Sequence, residues 1–392
     1  MNKHISIDVI PQKLFSDSED WAGICVSRSA TLPLVREHGT GYLPGVISKL
    51  EKIDDLTCRL QFDMHAAKHF GIDAEVLLQA WGKIAKSRYS PLLNVMKSIR
   101  IVDYHRMMIQ LAADIDNLDA YFSNPLLGIP IRGQEIRYES NMLSLTGTSG
   151  DDIHFHGYSD FADAMSCFQR GDLDAITGIG LPNDYWVKLN NPCNVFDTTL
   201  HVDIKIPKRI RFISHFLLRL PYDKLELITN RQFHPVAYYR QKNISNCNLN
   251  LRLVYPDFPP NQEICTWVSS QLEKYGITVE CIRIPYSDYL QNKQMQDDVL
   301  SFIIEMDPWP SHESIEWAFS DYFSQNVNNS GVDRCHSDII RDLNVARANK
   351  DGILRIGSLR GVRITRLPHI SLAKSGCMGW DDDFFIDEGL SQ

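Results

Sequence analysis

No stretch of this sequence approaches the run of about 18 apolar residues that a membrane-crossing helix needs, so insertion into a bilayer is not expected. The amino end lacks the apolar core that a secretion signal carries; Met1 to Ile10 passes straight into an alternating, strand-like pattern. Positive charge is scarce, with 40 Lys and Arg against 49 Asp and Glu and a formal net charge of −9. Phosphate binding draws most of its affinity from clustered Lys and Arg, and this balance argues against a nucleic-acid partner. The nine cysteines are scattered, odd in number and never spaced Cys-x-x-Cys, which supports neither a disulfide frame nor a zinc ribbon. A glycine-rich phosphate loop and a Gly-x-Ser-x-Gly turn are missing, as are repeats, heptads and low-complexity tracts. The expectation left standing is a cytoplasmic chain without cofactor or resident metal.

What is present is an ordinary globular composition over 392 residues, 44% hydrophobic and 23% charged, enough chain for two or three cores. Pattern and punctuation agree best between Leu249 and Pro310. Leu249, Leu251, Leu253 and Val254 form a short apolar strand that the prolines of Tyr255-Pro-Asp-Phe-Pro-Pro260 stop. Ile264, Trp267, Val268, Leu272 and Tyr275 recur at helical steps, and Gly276 stands where a helix needs a left-handed terminal residue. Ile277 to Ile284 reads as a strand, Ser287 to Met295 as a short helix and Val299 to Ile304 as a third, nearly all-apolar strand. Strand-helix-strand-helix-strand favours three parallel strands with right-handed crossovers. Ligands sit beyond the carboxyl ends of such strands, and the third runs on into Glu305-Met-Asp307-Pro-Trp309-Pro310. A carboxylate beside an aromatic, stiffened by prolines, suits capture of an amine.

The blocks Tyr255 to Pro260, Lys274-Tyr-Gly-Ile277, Pro285-Tyr-Ser-Asp-Tyr289 and Met306 to Pro310 stand in the order and spacing of a known family. In this the chain resembles the family 5 solute-binding proteins of the dipeptide and oligopeptide class. The resemblance implies a two-lobe α/β fold of the periplasmic-binding-protein type (class II, cluster C) with an extra small subdomain in lobe one. It also implies that Asp307 pairs with a ligand's α-amino group. The family's Gly-Trp ahead of that aspartate is here Ile303-Ile304. Asn124 to Ile131 keeps the prolines of a family turn but not the glycines flanking its threonine, and the long segment that normally follows is nearly absent, so the chain resembles a shortened member. The tail Gly376-Cys-Met-Gly379-Trp380 is similar to the family ending that returns to lobe one.

Taken in order, the chain offers a strand at Ile5 to Ile10, a hairpin around Asp54-Asp55, and a helix capped by Asp73 with Val76, Leu77, Ala80 and Ile84 on one stripe. A strand near Ile153, a helix on Phe161 to Phe168 stopped at Gly171, and a strand from Leu173 follow; then come a strand at Leu200 to Ile206 and a long helix, Phe212 to Ile228, broken at Pro221. Helices are also expected over Ile315 to Phe323 and Asp338 to Ala348. The implied division gives lobe one residues 1–28, 123–246 and 358–392, the inserted subdomain 29–122 and lobe two 247–357. The lobes are joined near Asn243 to Asn248 and near Ile356 to Pro368.

Candidate ligand contacts are Asp307, Trp309 and Glu305 from lobe two, and Gly379, Trp380 and Arg28 from lobe one. His154 and His156 share one face of a strand, but a third metal ligand is not identifiable beside them. Cys335-His336 has no orienting partner in the sequence, and Asp381 to Asp383 reads as a solvated run. No catalytic constellation emerges. The expected function is closure of two lobes on a small-molecule or peptide ligand by a monomer, with an ABC transporter permease as partner. The alternatives are a cytosolic ligand sensor and an enzyme of a biosynthetic pathway built on the same fold. Family members are normally exported, so a periplasmic or extracellular place is implied where a leader has been removed.

Overall fold

The computed structural model describes residues 2–18, 21–38, 41–87, 89–112, 114–115, 117–131, 133–146, 152–158, 160–182, 185, 194–236, 247–291, 299–305, 348, 352–367, 371–372 and 378–379. It opens on β1 (Lys3–Ile7), whose Ile5 and Ile7 are buried, and continues into α1 (Trp21–Arg28). Two-residue β2 (Thr31–Leu32) and the hairpin of β3 (Val35–His38) and β4 (Gly41–Pro44) lead to a separate four-stranded antiparallel sheet. Its strands are β5 (Ile47–Asp54), β6 (Thr57–Phe62), β7 (Met96–Asp103) and β8 (Arg106–Leu111), ordered β5-β6-β8-β7. The expected hairpin is there because the Asp54 carboxylate accepts from the Leu56 N–H at 2.9 Å, an Asx turn.

Between β6 and β7 lie α2 (Met64–Phe70) and α3 (Ala74–Ile84). Asp63 and Asp73 cap them through bonds from Ala66 and Val76 N–H at 2.8 and 2.9 Å. Removing a cap of this kind typically costs about 1 kcal/mol. On α3, Ala74, Leu77, Trp81 and Ile84 are buried, and the Trp81 indole N–H donates to the Leu127 carbonyl at 3.0 Å. That bond ties the inserted unit to the segment after α4 (Leu118–Phe122). There the turn lacking the family glycines is rebuilt as a 3₁₀ turn, Pro125–Leu127, whose Leu126 N–H is held by the Asn124 side chain. Gly128 remains necessary: a Cβ would stand 2.6 Å from the Leu32 carbonyl, because β9 (Ile129–Pro130) pairs with β2.

An eleven-stranded mixed sheet runs through the rest. β10 (Ile136–Glu139), β11 (Met142–Thr146) and β12 (Asp152–Gly157) form a meander whose last strand lies parallel to β1. α5 (Phe161–Arg170) ends at Gly171, φ +90°, and leads to β13 (Ala175–Leu181), which flanks β1 on its other side. Ala164, Met165 and Phe168 of α5 pack against Ile176, Leu181, Val362 and Ile364 as a small second core. β14 (Asn194–Lys205) is much longer than the strand read from Leu200 onward. The helix expected over 212–228 with a break at Pro221 is broken there, into α6 (Ser214–Leu217), led in by a 3₁₀ turn, and α7 (Leu225–Thr229), reached through a second 3₁₀ turn; both are shorter than expected. Pro221 lacks an N–H and disfavours the α conformation before it.

After β15 (Phe233–Pro235) come β16 (Leu249–Pro256), α8 (Asn261–Glu273), β17 (Ile277–Ile284), α9 (Tyr286–Gln291) and β18 (Val299–Glu305), the expected strand-helix-strand-helix-strand order; of the helix expected over Ser287 to Met295, 292–295 lie outside the described residues. All three strands are parallel, with β16 in the middle. Gly276, φ +75°, ends the turn after α8; a Cβ there would meet the Cys247 carbonyl at 2.6 Å. β19 (Ile353–Thr365), β20 (Ser371–Leu372) and β21 (Met378–Gly379) complete the described chain. The helices expected at 315–323 and 338–348 lie outside the described residues, save Ala348, which is helical. α6 and α7 pack on α8, with Phe216 edge-on to Tyr275 and Tyr222 against Trp267. Residues 214–229 thus pack on the helix that follows the first of the three parallel strands.

Candidate functional site

The registers of β14 and β19 place a seam in the large sheet. β14 pairs with β19 along its whole length, from Asn194↔Thr365 to Lys205↔Ile353. β13 lies along the other edge of β19 and ends at Leu181, opposite Val362, which is itself opposite Asp197. β18 lies along β14 from the opposite direction and ends at Glu305, opposite His201. Thr198, Thr199 and Leu200, facing Gly361, Arg360 and Leu359, bridge the two strand ends. β1 and β12 run with β13, and β16 and β17 run with β18. The carboxyl ends of two sets of parallel strands therefore confront one another across a pair of antiparallel strands, and such ends are where α/β sheets place their ligands.

The first bank of this seam is held by buried arginines. Arg363, 1% exposed, donates from Nε and Nη2 to the Gly178 carbonyl at 3.1 and 2.7 Å. Arg231 donates from Nη2 to the Gly180 carbonyl at 2.8 Å and from Nη1 to the carbonyls of Leu181 and Arg360 at 3.3 Å. Burial pushes the Arg231 guanidinium down to about 10, opposed by the nearby Asp8 carboxylate, and its face covers the Phe161 ring at 5.5 Å. Gly178 and Gly180 have φ of +74° and +71°. A Cβ on Gly178 would overlap the Asp8 carboxylate, so glycine is what lets Asp8, just past the end of β1, lie against the β13 backbone. On the second bank, the Asp257 carboxylate at the end of β16 accepts from the Tyr286 N–H at 3.2 Å, and Phe258 meets the Tyr286 ring edge-on.

Glu305 is the last residue of β18, paired with His201 at the edge of the seam. Gly379 lies in β21, paired with Ser371, and β21 packs beside α1, the helix that ends at Arg28. Arg28 is 4% exposed and its Nη1 lies 3.4 Å from the Thr31 carbonyl, so it braces the turn from α1 into β2. Asp307, Trp309 and Trp380 lie outside the described residues, as do Cys335-His336 and 381–383. The buried arginines were not foreseen, although Arg355 and Arg363, each flanked by apolar residues in an alternating run, were a legible signal.

The third imidazole missing from the sequence comes from β1. His4 stands opposite His154 in register, their rings 4.8 Å apart, and His4 Nδ1 lies 3.0 Å from His156 Nε2. Ser144 Oγ lies 2.8 Å from His154 Nδ1. Burial, then the His4 ring, holds both His154 and His156 below the usual histidine range. Among the described residues no group of three His, Cys, Asp or Glu side chains is disposed to hold a metal ion; this cluster is a hydrogen-bonded stack.

Six described cysteines, Cys25, Cys58, Cys167, Cys247, Cys265 and Cys281, are free thiols. Burial pushes Cys58 up to about 12 and Cys265 well above its usual value. Among the described residues no helix is long and apolar enough to cross a membrane.

No protein-family model and no curated protein matches the sequence. Solved structures do. The Escherichia coli murein tripeptide binding protein MppA aligns over 96% of this chain and 97% of its own, with a TM-score of 0.75 at 12% identity. Haemophilus influenzae OppA, in complex with a peptide, aligns over 95% and 96% with a TM-score of 0.75 at 11% identity. AgaA of A. tumefaciens, in complex with agropinic acid, aligns over 93% of both chains with a TM-score of 0.71 at 12% identity. Arrangement of the strands, the seam and these likenesses agree: the chain has the two-lobe α/β fold of the family 5 solute-binding proteins, the dipeptide and oligopeptide class.

Proposed function

We propose that the protein binds a small polar solute, a peptide or an amino-acid-like compound, in the seam between two lobes that close on it, and that it hands this solute to an ABC transporter permease. The observation that carries the reading is the confrontation of Leu181 and Glu305, the carboxyl ends of β13 and β18, across the crossing pair β14 and β19. The fold's range of ligands supports it, since relatives in structure hold a peptide in one case and agropinic acid in another. In this reading Asp307 and Trp309 face the seam from lobe two, and Gly379, Trp380 and Arg28 back it from lobe one. β14 and β19 are the hinge, and lobe two gains 214–229 because α6 and α7 pack on α8. The protein acts as a monomer.

Native mass spectrometry of protein purified from its own host tests the proposal. A small-molecule adduct of one ligand per chain is the expected result. A spectrum showing bare protein alone, with no mass gained when peptide and amino-acid mixtures are added, would remove the binding function.

A further inference from the structure

A cavity lies away from the three parallel strands of residues 249–305. The β1–α1 connection, the α1–β2 turn, α3 of the inserted subdomain and the rebuilt turn up to β9 line an open-mouthed cavity of about 340 Å³, within the range of small-molecule sites. Leu14, Ile84, Leu126 and Ile129, all buried, belong to its lining. Phe15 forms a wall in a conformation that bulky residues rarely adopt, φ +56°. Its N–H donates to Ser27 Oγ at 2.5 Å, and that hydroxyl donates to the Gly23 carbonyl at 2.5 Å. The surroundings thus hold Phe15 at the cavity, and strain so maintained marks functional places.

The mouth carries both signs of charge. Asp17, Gln79 and Lys83 line it, are exposed, and have no side-chain hydrogen bond or ion pair among the described residues. An apolar interior under a few uncommitted polar groups is the make-up of a site that orients an amphiphilic ligand. We propose that this cavity binds a small zwitterion with an apolar body, of which an aromatic or branched aliphatic amino acid is the simplest case. The side chain fills the space between Phe15 and Ile84, the carboxylate turns to Lys83 and the amine to Asp17. A ligand there touches both the α1–β2 turn and α3, so it also fixes the inserted subdomain against lobe one.

Calorimetry with L-phenylalanine, L-leucine, glycine and phenethylamine tests this, with methyl NMR signals of Ile84, Ile129 and Ile131 as the map. Phenylalanine and leucine should bind and shift those methyls, while glycine, without a side chain to bury, should bind roughly thirty-fold more weakly. Lys83→Glu should weaken phenylalanine about three-fold, as a rim charge does, and spare phenethylamine, which has no carboxylate. Ala80→Leu, from the half-buried lining of α3, should abolish all of this binding; Ala80→Met is the fallback if that variant does not fold. Absence of heat and of methyl shifts with every probe overturns the proposal, and so does binding that survives a folded Ala80 variant, since the amino acid then sits elsewhere. The seam ligand is untouched by either variant, which keeps the two sites separable.

Discussion

Asp203→Ala should destabilise the protein by about 3–5 kcal/mol, the usual cost of breaking a buried ion pair by removing one side of it. Asp203 and Arg355 are opposite one another on β14 and β19. Arg355 Nε and Nη2 donate to the two carboxylate oxygens at 2.9 and 3.2 Å, with side chains 4% and 2% exposed. The pair sits beside the register shift between Val202 and Asp203, where β14 also pairs with β18. Neither side chain reaches solvent in the folded state, so neither can be rehydrated when the other is removed. Asp203→Asn keeps the shape and loses the charge, and should fall between the wild type and Asp203→Ala. Replacing both partners with apolar residues of similar size should recover most of the loss, because the desolvation of two charges disappears along with their attraction. Urea unfolding measures this directly. A change below about 1 kcal/mol in Asp203→Ala, typical of an exposed pair, would show that the bridge is solvated and does not brace the crossing.

The second large effect is on affinity. Under the proposed function Asp307, just past the end of β18, meets a ligand amine inside the closed seam. Asp307→Asn preserves size and removes charge, so a cationic ligand should lose on the order of 2–5 kcal/mol of binding free energy when the pair is buried. Trp309 contributes less, about 0.5–2 kcal/mol as a cation-π face. Calorimetry with the ligand recovered from native protein decides the point. An unchanged dissociation constant in a folded Asp307→Asn variant would make this aspartate a loop cap.

How much of this was readable beforehand depended on the range of the interaction. The described elements from Leu249 to Glu305 were legible, because β16 and β17 alternate apolar with polar residues, β18 is nearly all apolar, Pro256 and Gly276 punctuate them, and α8 repeats its buried positions at helical steps. Caps were legible for the same reason: Asp73 acts within its own turn. Pairing across the chain was not. His4 and His154 are partners only because β1 lies between β12 and β13, and nothing in either local pattern says so. β14 was read at half its length, since Asn194 to Thr199 carry too few apolar residues to show a period. The break at Pro221 was visible, but not that α6 and α7 would pack on α8, which depends on contacts between Phe216 and Tyr275 and between Tyr222 and Trp267. The seam followed from the rule about strand ends only once register had fixed where those ends fall.

Closure of the two lobes is the central claim, and small-angle X-ray scattering with and without the ligand recovered from native protein tests it most directly. Rotation about β14 and β19 should shrink the radius of gyration when ligand saturates the seam, as hinge-closing binding proteins do, and stripping the ligand by partial unfolding and refolding should expand it again. An identical scattering profile for stripped and saturated protein would contradict the account.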